Sequence, residues 1–125
     1  MIDWEALQAT ARLVAGNARA PYSGLHVGAA GLVDDGRLVV GCNVENASYG
    51  LSVCAEVGMV AALAAGGPGR LVAVTVQVRD TALMPCGRCR QVLLEHAAPG
   101  CLIDAVDGAR LLTELLPDAF GPADL

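Results

Sequence analysis

Hydrophobic and polar positions follow two different periods along the chain, and these periods predict helices and strands. A spacing of three to four residues predicts a helix from about Asp3 to Ala18, with Asp3 as its cap. Apolar runs follow at about Leu25 to Val33 and Leu38 to Val44, and the Asp-Gly between them is typical of a β-hairpin. The first third of the chain is therefore predicted to form a helix and two antiparallel strands.

The rest of the chain alternates helical and strand patterns. Helices are predicted near residues 54–65 and 86–97, with a last helical turn at 113–116, and strands near 71–78 and 102–106. This order predicts an α/β protein with a mixed sheet and helices on its faces. A chain of 125 residues can bury one core but is too short for two, so we expect a single domain over residues 1–125.

The composition of the chain excludes some classes of protein. A net charge of −5 with eight arginines, no lysine and four aromatic residues lacks the basic, stacking surface that nucleic acid requires. No apolar run reaches about 18 residues and the N-terminus is acidic, so we expect a cytoplasmic protein without membrane contact. Five cysteines favour reduced thiols or a metal over disulfides. The high apolar fraction, 54%, suggests contacts between subunits.

Two short runs contain the candidate chemistry. Cys54-Ala55-Glu56 offers a thiol with a carboxylate beside it, and Cys86-Gly87-Arg88-Cys89 offers two more thiols. Three protein ligands leave one position of a zinc ion for a water, whereas four ligands make a structural site. Such a water becomes acidic, and Glu56 is placed to take its proton. Because residues two apart point to different sides of a helix, we expect Cys54 at the edge of its helix.

Simpler interpretations exist for the same residues. The C-x-x-C could be a redox pair, or the three thiols could form a four-ligand structural zinc site with Cys42 or Cys101, in a binding module without turnover. Neither Cys42 nor Cys101 has the spacing of a metal ligand, and we expect both to be buried as small hydrophobic residues. Glu56 by itself could be a first-turn residue that the helix dipole favours.

Asn43 and Glu45 are the candidate substrate-binding pair. The strand period of two places both side chains on one face, with Val44 on the other. An amide and a carboxylate side by side suit a pair of sugar hydroxyls. On these residues alone a polar strand edge that faces water is the simpler interpretation, but the neighbouring metal motif favours binding.

Four ordered segments carry a resemblance to a known family. They are PYSGLHVGAA at 21–30, GCNVENASYG at 41–50, CAE at 54–56 and PCGRCRQVLLE at 85–95. The chain resembles, from roughly Trp4 to Phe120, the small cytidine deaminases that act on free nucleosides, and the last two segments match the signature of zinc nucleobase deaminases. The resemblance implies a three-layer α/β/α fold with a mixed five-stranded sheet.

The resemblance also implies an activity and its site. It implies hydrolytic deamination of cytidine or deoxycytidine with release of ammonia, as in pyrimidine salvage, and a homotetramer with shared active sites. Zn²⁺ would be held by Cys54, Cys86 and Cys89, and Glu56 would act as base and then as acid. The implied substrate contacts are Asn43 and Glu45 for the ribose, Ala55 for the base, Ala47 and Tyr49 reaching into a neighbouring subunit's site, and Phe120 closing over the base.

Three positions depart from the family pattern. Leu25 stands where the family usually has phenylalanine, His26 beside it is expected to face the opposite side, and Val57 stands where many relatives have arginine. Without an arginine at position 57, Arg90 is the better candidate for a cation near the metal. Arg88 is expected to be a solvated residue at the start of its helix. These departures leave open a deaminase for a modified cytosine nucleoside, of the kind represented by blasticidin deaminases.

Overall fold

The computed structural model describes residues 1–125, and its centre is one mixed sheet of six strands. The strands are β1 (Val27–Val33), β2 (Leu38–Cys42), β3 (Leu71–Val78), β4 (Thr81–Ala82), β5 (Ala97–Ile103) and β6 (Arg110–Leu111). Their order is β2-β1-β3-β5-β6, and β4 pairs with β3 outside this path. Only β3 and β5 run parallel, so the sheet is mixed as predicted.

Four helices accompany the sheet: α1 (Trp4–Ala15), α2 (Ala55–Ala65), α3 (Gly87–His96) and α4 (Leu112–Leu115). Two short 3-10 turns lie at Tyr49–Leu51 and Pro122–Asp124. The predicted cap of α1 is present, because the Asp3 carboxylate accepts a hydrogen bond from the Ala6 amide at 3.1 Å. None of the helices combines the length and the apolar character that crossing a bilayer demands.

The sheet separates two apolar cores. Ala29 and Ala30, which are neighbours in β1, belong to different cores because alternate residues of a strand face opposite sides. The smaller core contains Leu7 and Ala11 of α1. The larger core, of 15 buried residues, receives side chains from α2, α3 and α4. The result is a helix layer on each side of the sheet, as the three-layer expectation requires.

The five expected strands match the main path of the sheet, β4 is an additional short strand, and several boundaries differ. The two strands that the hydrophobic pattern missed, β4 and β6, have two residues each, which is too short for a period of two to be visible. The strand predicted at 102–106 instead spans Ala97–Ile103 and follows α3 directly. Pro99 and Gly100 hid its first half because both residues usually mark turns.

Gly41 of β2 brings the start of α2 against the sheet. A Cβ atom at this position would lie 2.3 Å from both the Ala55 carbonyl oxygen and the Met59 amide nitrogen. Only a residue without a side chain permits this approach. The contact matters for the site because Cys54 and Glu56 lie at the same end of α2.

Replacing Gly41 with alanine is expected to force α2 away from β2, since backbone atoms cannot move aside as a side chain can. We expect Gly41→Ala to lower the free energy of unfolding by about 1–3 kcal/mol in denaturant titration. Gly121→Ala is the matched control, because a Cβ there meets nothing within 4 Å, and it should change the same quantity by less than about 0.5 kcal/mol. Equal stability of the two variants would contradict the close approach.

Candidate active site

A cavity of about 410 Å³ lies at the N-termini of α2 and α3, which is a typical size for a small-molecule site. Its wall is formed by the segments that precede β1 and follow β2, by the start of α2, and by the stretch between β4 and α3. The lining residues are Ser23, Leu25, Val27, Asn43, Glu45, Ser52, Val53, Cys54, Ala55, Glu56, Leu83, Met84, Cys86 and Cys89. Eight of the eleven site residues predicted from sequence are among them.

The three candidate metal ligands lie at two helix starts. Cys54 is the N-cap of α2 and Cys86 the N-cap of α3, both with extended backbone, and Cys89 is fully buried in the first turn of α3. The prediction that Cys54 lies at the edge of its helix is confirmed. This position explains how Cys54 and Glu56 can line the same cavity although they are only two residues apart.

The donor set fits a zinc ion, although the side chains do not already form a coordination sphere. No group of three or more His, Cys, Asp or Glu side chains is arranged as it stands to hold a metal. Neither Cys54 nor Cys86 uses its side chain to cap its helix, so no capping bond fixes either sulfur. Three thiols that line one cavity at two helix starts are the chemistry that zinc binds.

Burial raises the pKa of the Cys89 thiol, and the nearby Glu56, Cys54 and Cys86 raise it further. Glu56, Cys54 and Cys86 therefore lie close enough to the Cys89 sulfur to disfavour its ionised form. A divalent cation would relieve this repulsion, because it interacts most favourably with the ionised form of each thiol.

Glu56 is the candidate proton carrier, and its surroundings suit that role. It lies in the first turn of α2, its side chain is only 5% exposed, and it forms no ion pair. Burial raises the pKa of this carboxyl group above its usual value. A raised pKa suits this role, because it makes the carboxylate a better acceptor of a proton than an exposed glutamate.

The two remaining cysteines do not join the cavity. All five cysteines are free, Cys42 is half-buried, and Cys101 is buried in the larger core as predicted. Neither Cys42 nor Cys101 lines the cavity that holds the other three thiols. A four-thiolate structural site would therefore lack its fourth ligand at this place.

Asn43 and Glu45 line the cavity together, and both also hold its wall. Asn43 Oδ1 accepts a hydrogen bond from the Val27 amide at 2.8 Å, and Asn43 Nδ2 donates one to the Leu25 carbonyl at 2.7 Å. Glu45 Oε1 accepts from the Tyr22 and Ser23 amides at 3.0 and 3.1 Å. The pair therefore fixes the course of residues 22–27 beside the cavity.

Three predicted site residues lie outside this cavity. Tyr49 is 76% exposed and lines an adjacent recess, where its ring meets the edge of Tyr22 with 6.1 Å between centroids. Ala47 is exposed on the same segment, and Phe120 is 59% exposed near the C-terminus. Their predicted contacts with a neighbouring subunit stay predictions.

Several lining residues were missed by the sequence analysis. They include Ser23, Ser52, Val53, Leu83 and Met84. A signal existed for two groups: Ser23 lies in the turn of the segment PYSG, and Leu83 and Met84 directly precede Pro85-Cys86. Ser52 and Val53 precede Cys54 without a pattern that indicates binding.

Residues at or near the positions that depart from the family pattern lie in different places in the structure. Leu25 lines the cavity, whereas His26 lines a different recess with Arg12 and Arg79, so the two residues face opposite sides as predicted. Arg90 is not among the cavity residues. Its guanidinium donates to the Pro85 carbonyl at 2.7 Å and to the Leu115 carbonyl at 2.8 Å, and thus ties the loop before Cys86 to α4.

The fold and the cavity together define an α/β protein with a small-molecule site rich in thiols, and comparison with known proteins specifies its family. Residues 1–103 match the family model described as the cytidine and deoxycytidylate deaminase zinc-binding region. A cytidine deaminase of Mycobacterium tuberculosis is 56% identical over 125 residues, which cover 99% of this chain and 94% of that protein. One of Halalkalibacterium halodurans is 41% identical and covers 100% of this chain and 96% of its own length.

Solved structures agree with this comparison. The crystal structure of cytidine deaminase from Mycobacterium tuberculosis matches with a TM-score of 0.94 at 55% identity, over 97% of this chain and 99% of that one. The structure from Burkholderia pseudomallei matches with a TM-score of 0.82 at 42% identity, over 96% and 100% of the two chains. The chain belongs to the cytidine and deoxycytidylate deaminase family, and the resemblance found in its sequence is confirmed.

The clamp formed by Arg90 can be tested with a substitution that keeps the charge. Lysine cannot bind two separate carbonyls with one planar group, so we expect Arg90→Lys to lower the free energy of unfolding by about 1–2 kcal/mol in chemical denaturation. Arg88→Lys is the control because Arg88 is exposed and makes no hydrogen bond through its side chain, and it should change stability by less than about 0.5 kcal/mol. An Arg90→Lys protein as stable as the parent would contradict the clamp.

Proposed function

We propose that this protein catalyses the zinc-dependent hydrolytic deamination of cytidine or deoxycytidine to the corresponding uridine, with release of ammonia. The observation that carries the proposal is a buried glutamate, Glu56, in one cavity with three thiols at two helix starts. Relatives called cytidine deaminase, similar over nearly the whole chain, support the same reaction. Such an activity would serve pyrimidine salvage.

We assign Cys54, Cys86 and Cys89 as the ligands of Zn²⁺. When bound there, the ion would lower the pKa of a water from its high value in bulk solvent toward neutrality. Three thiolates leave that ion less positive than three neutral imidazoles would, so the protein needs a group that removes the proton. Glu56 is the group in the cavity that can do so.

Glu56 would carry two protons in sequence. It takes one from the attacking water and delivers it to ring N3, while the hydroxide oxygen bonds to C4 of the base. It then transfers the second proton of that oxygen to the amino group, which leaves as ammonia when the C4–N bond breaks. The pKa of Glu56, raised by burial, suits a group that is base and acid in turn.

The remaining wall would hold the nucleoside. Asn43 and Glu45 would bind sugar hydroxyls, and backbone groups near Ala55 would bind the base at the start of α2. Apolar contact would come from Leu25 and Met84, which also line the cavity. In this arrangement, the reacting ring would lie near the thiols and the sugar near the turn that precedes β1.

We further propose a homotetramer whose active sites share residues, located in the cytoplasm. Tyr49 and Phe120 leave most of their aromatic surface exposed, and such surface is typical of a contact between subunits. With Ala47, they would reach a neighbouring subunit's site. Five free cysteines are compatible with a reducing compartment, and the whole chain, residues 1–125, would form the one domain.

A modified cytosine nucleoside is the second candidate substrate. The observation that favours it is Leu25, whose aliphatic side chain lies in the cavity wall and leaves more room beside the base than phenylalanine would. A spectrophotometric assay of cytidine, deoxycytidine and substituted cytosine nucleosides, with and without a chelator, ranks these substrates by kcat/KM. Absence of turnover with every one of them, in protein that contains zinc, would leave only the non-catalytic zinc module.

Removal of the proton carrier should abolish turnover without removing the metal. We expect Glu56→Gln to lower kcat by roughly two to four orders of magnitude, because an amide of similar size cannot accept the proton. Zinc content, measured by mass spectrometry, should stay at that of the parent protein. A variant that retains the parent's turnover would show that Glu56 has another role.

The ligand assignment makes a separate prediction about zinc content. Cys54→Ala, Cys86→Ala and Cys89→Ala should each lose zinc and activity, because two thiolates and water hold the ion far more weakly than three. Cys42→Ala is the matched control: Cys42 is a free cysteine outside the cavity, so its loss should leave zinc content unchanged. One zinc per chain in any of the first three variants excludes that cysteine as a ligand.

A further inference from the structure

Ser23 connects two parts of the cavity wall that the proposed function uses separately. Its hydroxyl donates a hydrogen bond to Glu45 Oε2 and accepts one from the Leu25 amide at 3.0 Å. Ser23 itself lines the cavity. One side chain therefore joins the carboxylate assigned to the sugar and the residue that lies beside the base.

The hydrogen bonds of Glu45 leave little acceptor capacity for a substrate. A carboxylate offers about four acceptor positions. Oε1 uses two of them for the Tyr22 and Ser23 amides, and Oε2 uses one for the Ser23 hydroxyl. About one position therefore remains, and it lies on Oε2.

No ion pair holds Glu45 in place. The two ion pairs of the structure join Arg12 to Asp80 and Arg37 to Asp35. The Ser23 hydroxyl, the Ser23 amide and then the Tyr22 amide hold the pKa of Glu45 below its usual value, so the carboxylate stays ionised and can only accept hydrogen bonds. Its orientation depends on the turn that contains Ser23.

We propose that Ser23 is a positioning residue for the sugar: it holds Glu45 with one free acceptor position on Oε2, which binds one ring hydroxyl of the sugar, at the 2′ or the 3′ position. The inference rests on the proposed function, since it assumes a nucleoside in the cavity. Loss of the hydroxyl leaves the two backbone amides on Oε1 but frees Oε2 to turn toward water. The substrate hydroxyl then meets a carboxylate that is no longer oriented toward it.

The test compares Ser23→Ala with the parent on three nucleosides: cytidine, 2′-deoxycytidine and 3′-deoxycytidine. We expect KM to rise roughly five- to tenfold for the nucleosides that carry the hydroxyl bound by Glu45, with kcat changed less than about twofold. The analogue that lacks this hydroxyl should change by less than about twofold. Ser23→Thr, which keeps a hydroxyl, should restore KM to within about twofold of the parent.

Two controls separate positioning from a general loss of structure. Ser48→Ala removes an exposed hydroxyl that makes no capping bond, and it should leave KM unchanged. In a Glu45→Ala background, Ser23→Ala should raise KM by less than about a further twofold, since the two residues act as a unit. A full further increase in that background would overturn the proposal.

The possible failures are distinguishable. If the parent protein deaminates cytidine and Ser23→Ala raises KM equally for all three nucleosides, or not at all, the positioning role is wrong while the proposed function stands. If the zinc-loaded parent deaminates none of the three, the proposed function fails, and the role of Ser23 fails with it.

Discussion

The meeting of two helix N-termini at one cavity is the constraint on which the site depends. Cys54 and Cys86 occupy the N-cap positions of α2 and α3, and Glu56 and Cys89 follow in the first turns. The exposed amides of helix starts favour negative charge, whereas burial opposes it. Burial raises the pKa of the Glu56 carboxyl group and of the Cys89 thiol, so desolvation is the larger of the two influences on these side chains. Charge can then be stabilised there by a cation, and a proton can be held on the glutamate.

The wall of the cavity that contains Asn43 and Glu45 has no ion pairs. The side chains of Asn43 and Glu45, which follow β2, bind backbone groups of residues 22–27. They hold this turn in place, and the turn in return orients the Glu45 carboxylate. Neutral donors of this kind leave Glu45 its full negative charge, whereas an arginine partner would occupy the oxygens that a sugar hydroxyl needs. The same side chains therefore shape the cavity and remain partly available to a ligand.

Packing directly behind the cavity holds its walls in position. Gly41 allows α2 to approach β2 closely, and Arg90 ties the loop before Cys86 to α4. On the other face of the sheet, the buried Asp104 carboxylate accepts hydrogen bonds from Gln8 of α1 and Thr75 of β3. These bonds join the residue that follows β5 to both α1 and β3.

The amino-acid sequence alone was enough to identify the family, the α/β class and the thiols and glutamate that meet in the cavity, because residue type and spacing are local properties of Cys54, Glu56, Cys86 and Cys89. Long periodic segments such as β3 were predicted with their observed bounds, Leu71–Val78. Three features could be seen only in the folded protein: the two-residue strands, the clamp made by Arg90 and the link from Ser23 to Glu45. Strands of two residues are too short for a period of two to be visible. The clamp joins Arg90 to Leu115, 25 positions away, and the link joins Ser23 to Glu45, 22 positions away, and no local pattern encodes such pairings.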